Sequence, residues 1–209
     1  MITSKKILDY LNELYPDARC ELVYTKDYEL LMATVLSAQC TDKRVNMVTK
    51  ELFNKYDLEG LAKADLKDIE KIIRPVGSFT RKAYYLKNIA QDLLANSQGI
   101  VPNNRDYLES LPGVGRKTCN VVLANIYNVP AIAVDTHVNR VAKRLLLSLE
   151  EDSVLEVEKK LMAFFPRKYW GRVHHQLVLF GRYKCKSLKP ECADCKLQKD
   201  CNYYKKLKR

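Results

Sequence analysis

The sequence predicts an all-α fold. Apolar residues recur at helical spacing along nearly the whole chain, while period-two alternation over five or more residues is hard to find. Most of the seven glycines fall between these helical stretches and mark turns. The first apolar stripes are Ile7, Leu8, Leu11 and Leu14, then Leu30, Leu31 and Val35, then Val45, Val48, Leu52 and Phe53. Further helices are predicted near residues 65–74, 80–96, 104–110, 116–128, 135–148, 153–165 and 169–181.

Two helix starts carry capping signals. Ser153 and Glu156 form a capping box ahead of the helix predicted at 153–165. Asp135 follows an extended apolar run and precedes a helical stretch, which makes it a good N-cap. Capping does not exclude a catalytic role, because backbone N–H bonds fix the direction of a carboxylate. The three histidines are predicted to be structural: His137, His174 and His175.

Length and composition indicate a globular chain of one or two domains. With 209 residues, of which 47% are apolar, the chain has enough material for a sizeable core. No apolar stretch resembling a signal peptide develops at the N-terminus. The longest uncharged run, residues 118–134, is interrupted by asparagines and a proline, so we expect no membrane span and a cytoplasmic location.

The chain is strongly basic, and the excess is concentrated near the C-terminus. Lys and Arg number 36 against 25 Asp and Glu, a formal charge of +11. Residues 182–209 hold ten basic and three acidic side chains. A polyanion such as nucleic acid is the first candidate partner, and a solvated basic face is the alternative. The basic run at 205–209 has a second interpretation as a nuclear signal.

Four cysteines near the C-terminus have the spacing of a metal cage. Six, two and five residues separate Cys185, Cys192, Cys195 and Cys201. Four thiolates suit zinc or a [4Fe-4S] cluster, and we favour the cluster because there is one Cys-x-x-Cys pair and no histidine follows His175. Unlinked or disulfide-bonded cysteines are the alternative. The other three are predicted to be ordinary buried thiols: Cys20, Cys40 and Cys119.

Residues 111–118, with the sequence LPGVGRKT, predict a hairpin between two helices. Pro112 ends the preceding helix, and the glycines at 113 and 115 permit positive φ angles and close approach of another backbone. The next helix begins near Arg116, so its free N–H groups and its dipole form a site for a phosphate. The alternative is a tight turn with no ligand.

Lys117 lies in the first turn of the helix after this hairpin. A lysine amine beside a bound phosphodiester is a plausible nucleophile toward an electrophilic sugar carbon, and it forms a Schiff base with a sugar aldehyde. The residues alone leave open whether Lys117 does this or is a second phosphate contact.

Taken together, these motifs resemble the endonuclease III family of helix-hairpin-helix DNA glycosylases. The hairpin at 111–117, the segment 134–137 and the cysteine cage stand in the family's order and at similar distances. Residues 36–42, LSAQCTD, resemble the family's first helix-loop segment. The resemblance spans about residues 28–203.

The resemblance implies a bifunctional glycosylase and abasic-site lyase that removes oxidised pyrimidines from duplex DNA. In such an enzyme the damaged nucleotide is flipped out of the stack, Lys117 attacks C1′, and Asp135 stabilises the positive charge on the sugar. The resulting Schiff base leads to β-elimination. The family also implies a structural or redox-sensing [4Fe-4S] cluster on the four cysteines. We expect a monomer in a prokaryotic cytoplasm, associated with the nucleoid.

The family fold would be two helical domains with a DNA cleft and the catalytic pair between them. Residues 21–129 would form a six-helix domain with the hairpin, and residues 1–20 with 130–209 the cluster domain. Family members place a bulky apolar wedge after the glycine matching Gly77, but here that residue is Ser78, so Phe79 or Gln39 is expected to take the role. The DNA-contacting residues implied are Gln39, Ser78, Phe79, Gly113, Val114, Gly115, Arg116, Lys186 and Lys189.

Three other functions compete with this one. A monofunctional, mismatch-specific glycosylase shares the hairpin, the aspartate and the cluster, but usually lacks a lysine matching Lys117. A non-enzymatic DNA-binding module would use the hairpin for phosphates and the cluster as a redox switch. A zinc-stabilised scaffold would be colourless, whereas an iron-sulfur protein is brown.

Overall fold

The computed structural model describes residues 2–207, and within that range every regular element is a helix. This confirms the predicted all-α fold class. The chain divides into two compact units, Cys20–Tyr127 and Met1–Arg19 with Asn128–Arg209. The predicted division, at 21–129, differs from the first unit by one residue at its start and two at its end. Met1, Lys208 and Arg209 lie outside the described residues, so the end of the basic run at 205–209 does too.

The unit Cys20–Tyr127 contains seven α-helices, where six were predicted. The additional element is the short helix α4, which Asp57 caps by accepting a hydrogen bond from the Gly60 N–H. The helices are α2 (Asp27–Leu36), α3 (Asp42–Lys55), α4 (Leu58–Lys63), α5 (Leu66–Ile73), α6 (Phe79–Ser97), α7 (Arg105–Ser110) and α8 (Arg116–Tyr127), with a 3₁₀ turn at Arg74–Val76.

Helix α2 is the central helix of this unit. Every residue of α2 after Asp27 is buried, so the helix is covered all round rather than along one stripe. Its one buried acid, Glu29, accepts hydrogen bonds from the Thr25 N–H at 2.7 Å and the Thr25 hydroxyl at 2.9 Å. Helix α6 packs on α4 and α5. Helix α2 packs on α8, and α8 packs on α7, so the buried central helix supports the hairpin helices.

The other unit is built from five α-helices within the described residues. They are α1 (Ser4–Leu14), α9 (Thr136–Arg144), α10 (Val154–Phe164), α11 (Trp170–Leu179) and α12 (Asn202–Leu207). A π-helical turn, Phe180–Lys184, extends α11, and its residue Phe180 is buried in the same core as Leu11, Val138 and Leu161. The predicted caps at Asp135 and Ser153 are both present, the second with its full capping box.

Helix α9 is shorter than the predicted stretch 135–148. It ends at Arg144, because Leu146 adopts a left-handed backbone with φ +56° and the Leu147 N–H turns back to the Ala142 carbonyl at 2.9 Å. Helices commonly end on such a left-handed residue, but glycine usually supplies it. No helix within residues 2–207 has the length and apolar character needed to cross a membrane.

Gly181 lets the π-helical turn lie directly on helix α9. A Cβ at this position would stand 2.8 Å from the His137 Cβ and 3.1 Å from the His137 carbonyl oxygen. Real Cβ atoms do not approach this closely, so any larger residue would force the turn away from α9. The close contact keeps the cysteine-bearing segment that follows the turn against the helix that begins at Asp135.

We expect Gly181→Ala to lower the free energy of unfolding by about 1 to 3 kcal/mol, because the added methyl group overpacks this contact. Gly171→Ala on α11 is the matched control, since a Cβ there meets no atom within 4 Å. The control should be neutral or raise stability by up to about 1 kcal/mol. Chemical denaturation of both variants would measure this, and equal midpoints would show that the close contact does not matter.

Candidate active site

The predicted hairpin joins α7 to α8. Its loop is anchored by two buried side chains, Leu111 and Val114, and the Val114 N–H donates to the Leu111 carbonyl at 3.1 Å. Gly113 has φ +78°, a conformation that favours glycine. Of the two glycines expected to permit a positive φ, Gly113 adopts one and Gly115 does not.

The two glycines serve different purposes. A Cβ on Gly113 would lie 2.4 Å from the Tyr85 ring, so the loop rests on this ring of α6 only because residue 113 has no side chain. A Cβ on Gly115 would meet no protein atom within 4 Å. The surface at Gly115 is therefore open, and another backbone or a phosphate reaches it without obstruction.

The helices of the hairpin are fixed to each other and to α6. Arg105 on α7 donates to the Asn120 side-chain oxygen on α8 and to the Glu109 carboxylate, both at 2.7 Å. The Tyr107 hydroxyl donates to Asp92 on α6 at 2.5 Å. The bonds to Asn120 and Asp92 cross between helices, so the hairpin is held as a rigid element before any ligand binds.

Lys117 lies in the first turn of α8 with an exposed side chain, as does Arg116. The first N–H groups of a helix have no intrahelical partner, so this turn attracts anions. Cys20 lies within electrostatic range of Lys117: burial raises the pKa of the Cys20 thiol, and the Lys117 charge opposes that shift. Of the three thiols predicted to be buried, only Cys119 is fully so, while Cys20 and Cys40 are half-buried because they lie in loops.

Gln39 and Ser78 lie in two loops of the same unit, and Phe79 is the helical residue that follows the second loop. Gln39 and Ser78 are exposed, and both adopt left-handed backbone conformations, with φ +56° and +46°. Phe79 is half-buried and begins α6, with the Arg74 guanidinium 5.9 Å from the centre of its ring. One buried lysine of α6, Lys82, donates hydrogen bonds to carbonyls in both loops.

Asp135 belongs to the other unit, where it caps α9. Its Oδ1 atom accepts hydrogen bonds from the N–H groups of His137 at 2.9 Å and Val138 at 2.8 Å. The side chain is half-buried. These two bonds fix the direction of the carboxylate, so it is preorganised for electrostatic work and loses little entropy in doing it.

Two arginines in the second half of α9 hold the segment that carries the first of the four C-terminal cysteines. Arg140 donates to the carbonyls of Gly181 at 2.6 Å and Cys185 at 3.2 Å. Arg144 donates to the Cys185 sulfur at 3.3 Å and to the Lys186 carbonyl at 2.7 Å, and it stacks on Tyr203 with 3.9 Å to the ring centre. Sequence reasoning missed both arginines, because their spacing shows only a basic helix end.

The four C-terminal cysteines line one small cavity of about 20 Å³ between the π-helical turn and α12. Its other walls are mainly apolar and aromatic, and burial raises the pKa of the thiols of Cys192, Cys195 and Cys201. Within residues 2–207, no three His, Cys, Asp or Glu side chains lie close enough together to bind a single metal ion. The cavity therefore brings four thiols around one space without closing them on one point.

The two lysines predicted to contact DNA from the cysteine loop differ in their surroundings. Lys186 is half-buried and forms an ion pair with Glu191 at 2.6 Å. Lys189 is exposed, with a left-handed backbone at φ +49°. Lys184, nearer the cavity, pairs with Asp194 at 2.8 Å. Acidic residues of the loop thus already neutralise part of its basic charge.

Comparison with known proteins gives the same fold and finds relatives that match over nearly the whole chain. Residues 32–167 match the family model described as HhH-GPD superfamily base excision DNA repair protein. Endonuclease III of Bacillus subtilis (strain 168) is 46% identical over 205 residues, which cover 96% of this chain and 94% of that relative. A solved structure of a trapped endonuclease III-DNA covalent intermediate, an estranged-adenine complex, matches with a TM-score of 0.95 and 47% identity over 100% of both chains. A thermostable thymine-DNA glycosylase matches with a TM-score of 0.83 and 26% identity over 97% of both chains.

The helical fold, the glycine hairpin and these matches define a base excision DNA repair protein. The chain belongs to the HhH-GPD superfamily and, within it, to the endonuclease III family. This confirms the family that the hairpin, the aspartate segment and the cysteine spacing predicted.

The hairpin glycines are expected to separate stability from DNA binding. Gly113→Ala should lower the free energy of unfolding by about 2 to 4 kcal/mol, since it combines a left-handed alanine with overpacking against Tyr85. Gly115→Ala should change stability by no more than about 0.5 kcal/mol. It should nevertheless weaken duplex binding about tenfold, because its methyl group occupies the open approach to the hairpin.

Thermal unfolding and fluorescence anisotropy on a labelled duplex would measure the two effects. Unchanged affinity of Gly115→Ala would show that no phosphate approaches the hairpin at this residue.

Proposed function

We propose that Lys117 is the nucleophile of this DNA glycosylase and abasic-site lyase, and that Asp135 assists it on oxidised pyrimidines in duplex DNA. The observation that carries the proposal is the position of the Lys117 amine, exposed in the first turn of α8 directly after an open glycine hairpin. A phosphate held at this helix start brings the adjoining sugar to the lysine.

The hairpin supplies binding without reading sequence. The first-turn N–H groups of α8, its dipole and the Arg116 side chain act on the phosphate backbone, and such contacts fix register rather than base identity. Lesions occur at any sequence, so an enzyme that repairs them benefits from binding of this kind. The chemistry becomes accessible when the damaged nucleotide leaves the stack.

The covalent step is a substitution at C1′. The Lys117 nitrogen forms a bond to C1′ while the glycosidic bond breaks. The electron pair of the glycosidic bond leaves with the base, which takes up a proton. The sugar ring opens to a protonated imine. Loss of a C2′ proton then breaks the C3′–O bond, and the 3′ phosphate departs. The trapped covalent intermediate of the endonuclease III relative supports this chemistry.

Asp135 would act through charge rather than through proton transfer alone. The departing base leaves positive charge on the sugar, and a carboxylate fixed by two N–H bonds stabilises such charge without reorganising. The same two bonds make Asp135 a helix cap, so its structural and chemical roles share one conformation.

The four cysteines fit a [4Fe-4S] cluster, and we propose that Cys185, Cys192, Cys195 and Cys201 hold it. In such a cluster each thiolate binds a different iron, so the sulfurs surround a space instead of meeting at a single ion. The cavity and its apolar walls support this choice over a mononuclear zinc site. When bound, the cluster would cross-link the cysteine loop to α12. Lys186 and Lys189 would then present the loop to a phosphate.

Gln39, with Ser78 or Phe79, would occupy the space that the extruded nucleotide leaves in the duplex. Gln39 and Ser78 are exposed on loops of one unit, and their polar side chains suit hydrogen bonding to an orphaned base. We further propose that the protein works as a monomer in a bacterial cytoplasm on duplex DNA containing oxidised pyrimidines or abasic sites, which agrees with the bacterial source of its relatives.

Borohydride trapping on duplex DNA with one thymine glycol would test the role of Lys117. Wild type should give a covalent adduct, and Lys117→Ala should give less than about 1% of it, because the Schiff-base nitrogen is absent. Lys50→Ala, at an exposed lysine of α3, is the control and should trap like wild type.

The remaining outcomes of this experiment identify the rival functions. Base release by wild type without trapping would select a monofunctional glycosylase. Binding with neither release nor trapping would leave a DNA-binding module.

Asp135→Asn should separate capping from catalysis. Asparagine caps helices about as well as aspartate, so the free energy of unfolding should change by less than about 1 kcal/mol. Base release should fall by about 10² to 10³, because the carboxylate charge is lost. Single-turnover base release and thermal unfolding would measure the pair of effects, and a stable variant with full activity would reduce Asp135 to a cap.

A further inference from the structure

Lys82 is a lysine on the buried face of helix α6. Its relative exposure is 6%, although it carries a charge. Its Nζ atom donates to three backbone carbonyls: Leu36 at 2.9 Å, Ala38 at 2.8 Å and Val76 at 3.0 Å. An ammonium group has three hydrogens to donate, so its hydrogen-bonding capacity is fully used.

The bonds reach two different segments of the unit Cys20–Tyr127. Leu36 ends helix α2, and Ala38 lies in the turn that follows it. Val76 ends the 3₁₀ turn before Gly77. Carbonyls at helix ends lack intrahelical partners and carry the negative end of the dipole, so a cation between two such ends is well placed. Lys82 thereby connects the end of α2 to the end of the 3₁₀ turn.

This arrangement is not the simplest way to fill a core. Burial lowers the pKa of Lys82, which means that the protein environment disfavours its charge relative to water. An apolar side chain of similar volume commonly stabilises a core as well as a buried charge does. The advantage of Lys82 lies in position instead: three directed hydrogen bonds fix two loops relative to one helix.

Each of the two loops continues into a strained, exposed residue. Gln39 follows Ala38 directly and has φ +56°, while Gly77 and Ser78 follow Val76 with φ +69° and +46°. A left-handed backbone is unfavourable for a non-glycine residue and persists where the surrounding structure dictates it. Strain of this kind clusters at ligand-binding sites, and here it occurs on both sides of one ammonium group.

We propose that Lys82 is a positioning residue that holds the Gln39 and Ser78 loops at a fixed separation, so that both enter a lesion-containing duplex as one rigid element. The proposal rests on the proposed function, since a gap in the stack exists only when a nucleotide is extruded. Lys82 does not touch DNA in this scheme. Its importance follows from the side chains it places: polar groups such as Gln39 and Ser78 hydrogen-bond within tenths of an ångström, whereas a bulky apolar wedge tolerates more variation.

Lys82→Met tests the proposal, because methionine keeps the length of the side chain and removes the donors. The matched control is Lys87→Met on the same helix, where Nζ donates to a single carbonyl, Ala64, at 2.9 Å, away from both loops. Borohydride trapping would be followed on a duplex with one abasic site and on the same strand without its complement. The single strand has no stack to fill, so it reports chemistry alone.

For Lys82→Met, the duplex concentration giving half-maximal trapping rate should rise about tenfold or more, as expected when charged hydrogen bonds are lost. The maximal rate and single-strand trapping should stay within about twofold of wild type. A 2-aminopurine opposite the abasic site should lose the fluorescence change that wild type produces, since insertion beside it is impaired. Lys87→Met should match wild type in every measurement.

Equal loss on duplex and single strand would overturn the proposal, because Lys82 would then support the fold or the chemistry generally. Unchanged duplex trapping would overturn it as well. Lys82→Gln, which donates two hydrogen bonds in place of three, should give an intermediate effect and serves if Lys82→Met is unfolded by circular dichroism. Failure of both variants to fold would make Lys82 a requirement of the fold only. Absence of trapping by wild type would instead count against the proposed function.

Discussion

Backbone groups at helix ends constrain an all-helical protein more than any side-chain pair does, because the first four N–H groups and the last four carbonyls of each helix lack intrahelical partners. In this protein the side chains that satisfy such groups also hold the loops assigned to function. Asp135 meets the N–H groups at the start of α9. Arg144 meets carbonyls beside Cys185, and Lys82 meets carbonyls beside Gln39 and Ser78.

Different side chains supply the stability of the fold and the positions of its loops. The cores of the two units are filled by aliphatic side chains such as Leu30, Leu86 and Val141. The free energy that their burial contributes is roughly proportional to the buried apolar area and has no preferred direction. Cations bound to carbonyls contribute less net free energy, since desolvation offsets much of the attraction. The hydrogen bonds from these cations to carbonyls are directional, and a DNA-binding surface made of loops requires loops held in fixed positions. Arg140 and Lys82 are therefore best understood as determinants of loop position.

Helix α9 shows how far one element connects the parts of a site. Its first residue is capped by Asp135, and one turn later Arg140 binds the π-helical turn and the Cys185 carbonyl. Gly181 allows that turn to contact the helix closely. A displacement of the cysteine loop would therefore be transmitted to the helix whose N-terminus orients the carboxylate. This coupling needs no flexible segment, because it consists of hydrogen bonds within one compact unit.

The sequence predicted whatever depends on local pattern. Helical spacing predicted the fold class, residue type predicted the caps at Asp135 and Ser153, and the glycines predicted the hairpin. It could not predict contacts between residues far apart in the sequence, such as Lys82 and Ala38, whose residue numbers differ by 44, because a lysine in a basic chain carries no mark of its partner. It also placed the end of α9 too late, since the left-handed residue there is Leu146 and not a glycine.

Counting charges in the sequence likewise does not show which charges are paired in the fold. The basic excess near the C-terminus is partly paired, as in Lys186 with Glu191. Both partners are about half exposed, and such ion pairs contribute only about 0 to 1 kcal/mol. Under the proposed function, a DNA phosphate would therefore replace Glu191 at little cost. A pair this weak would leave the charge of Lys186 available to the DNA that the proposal places beside it.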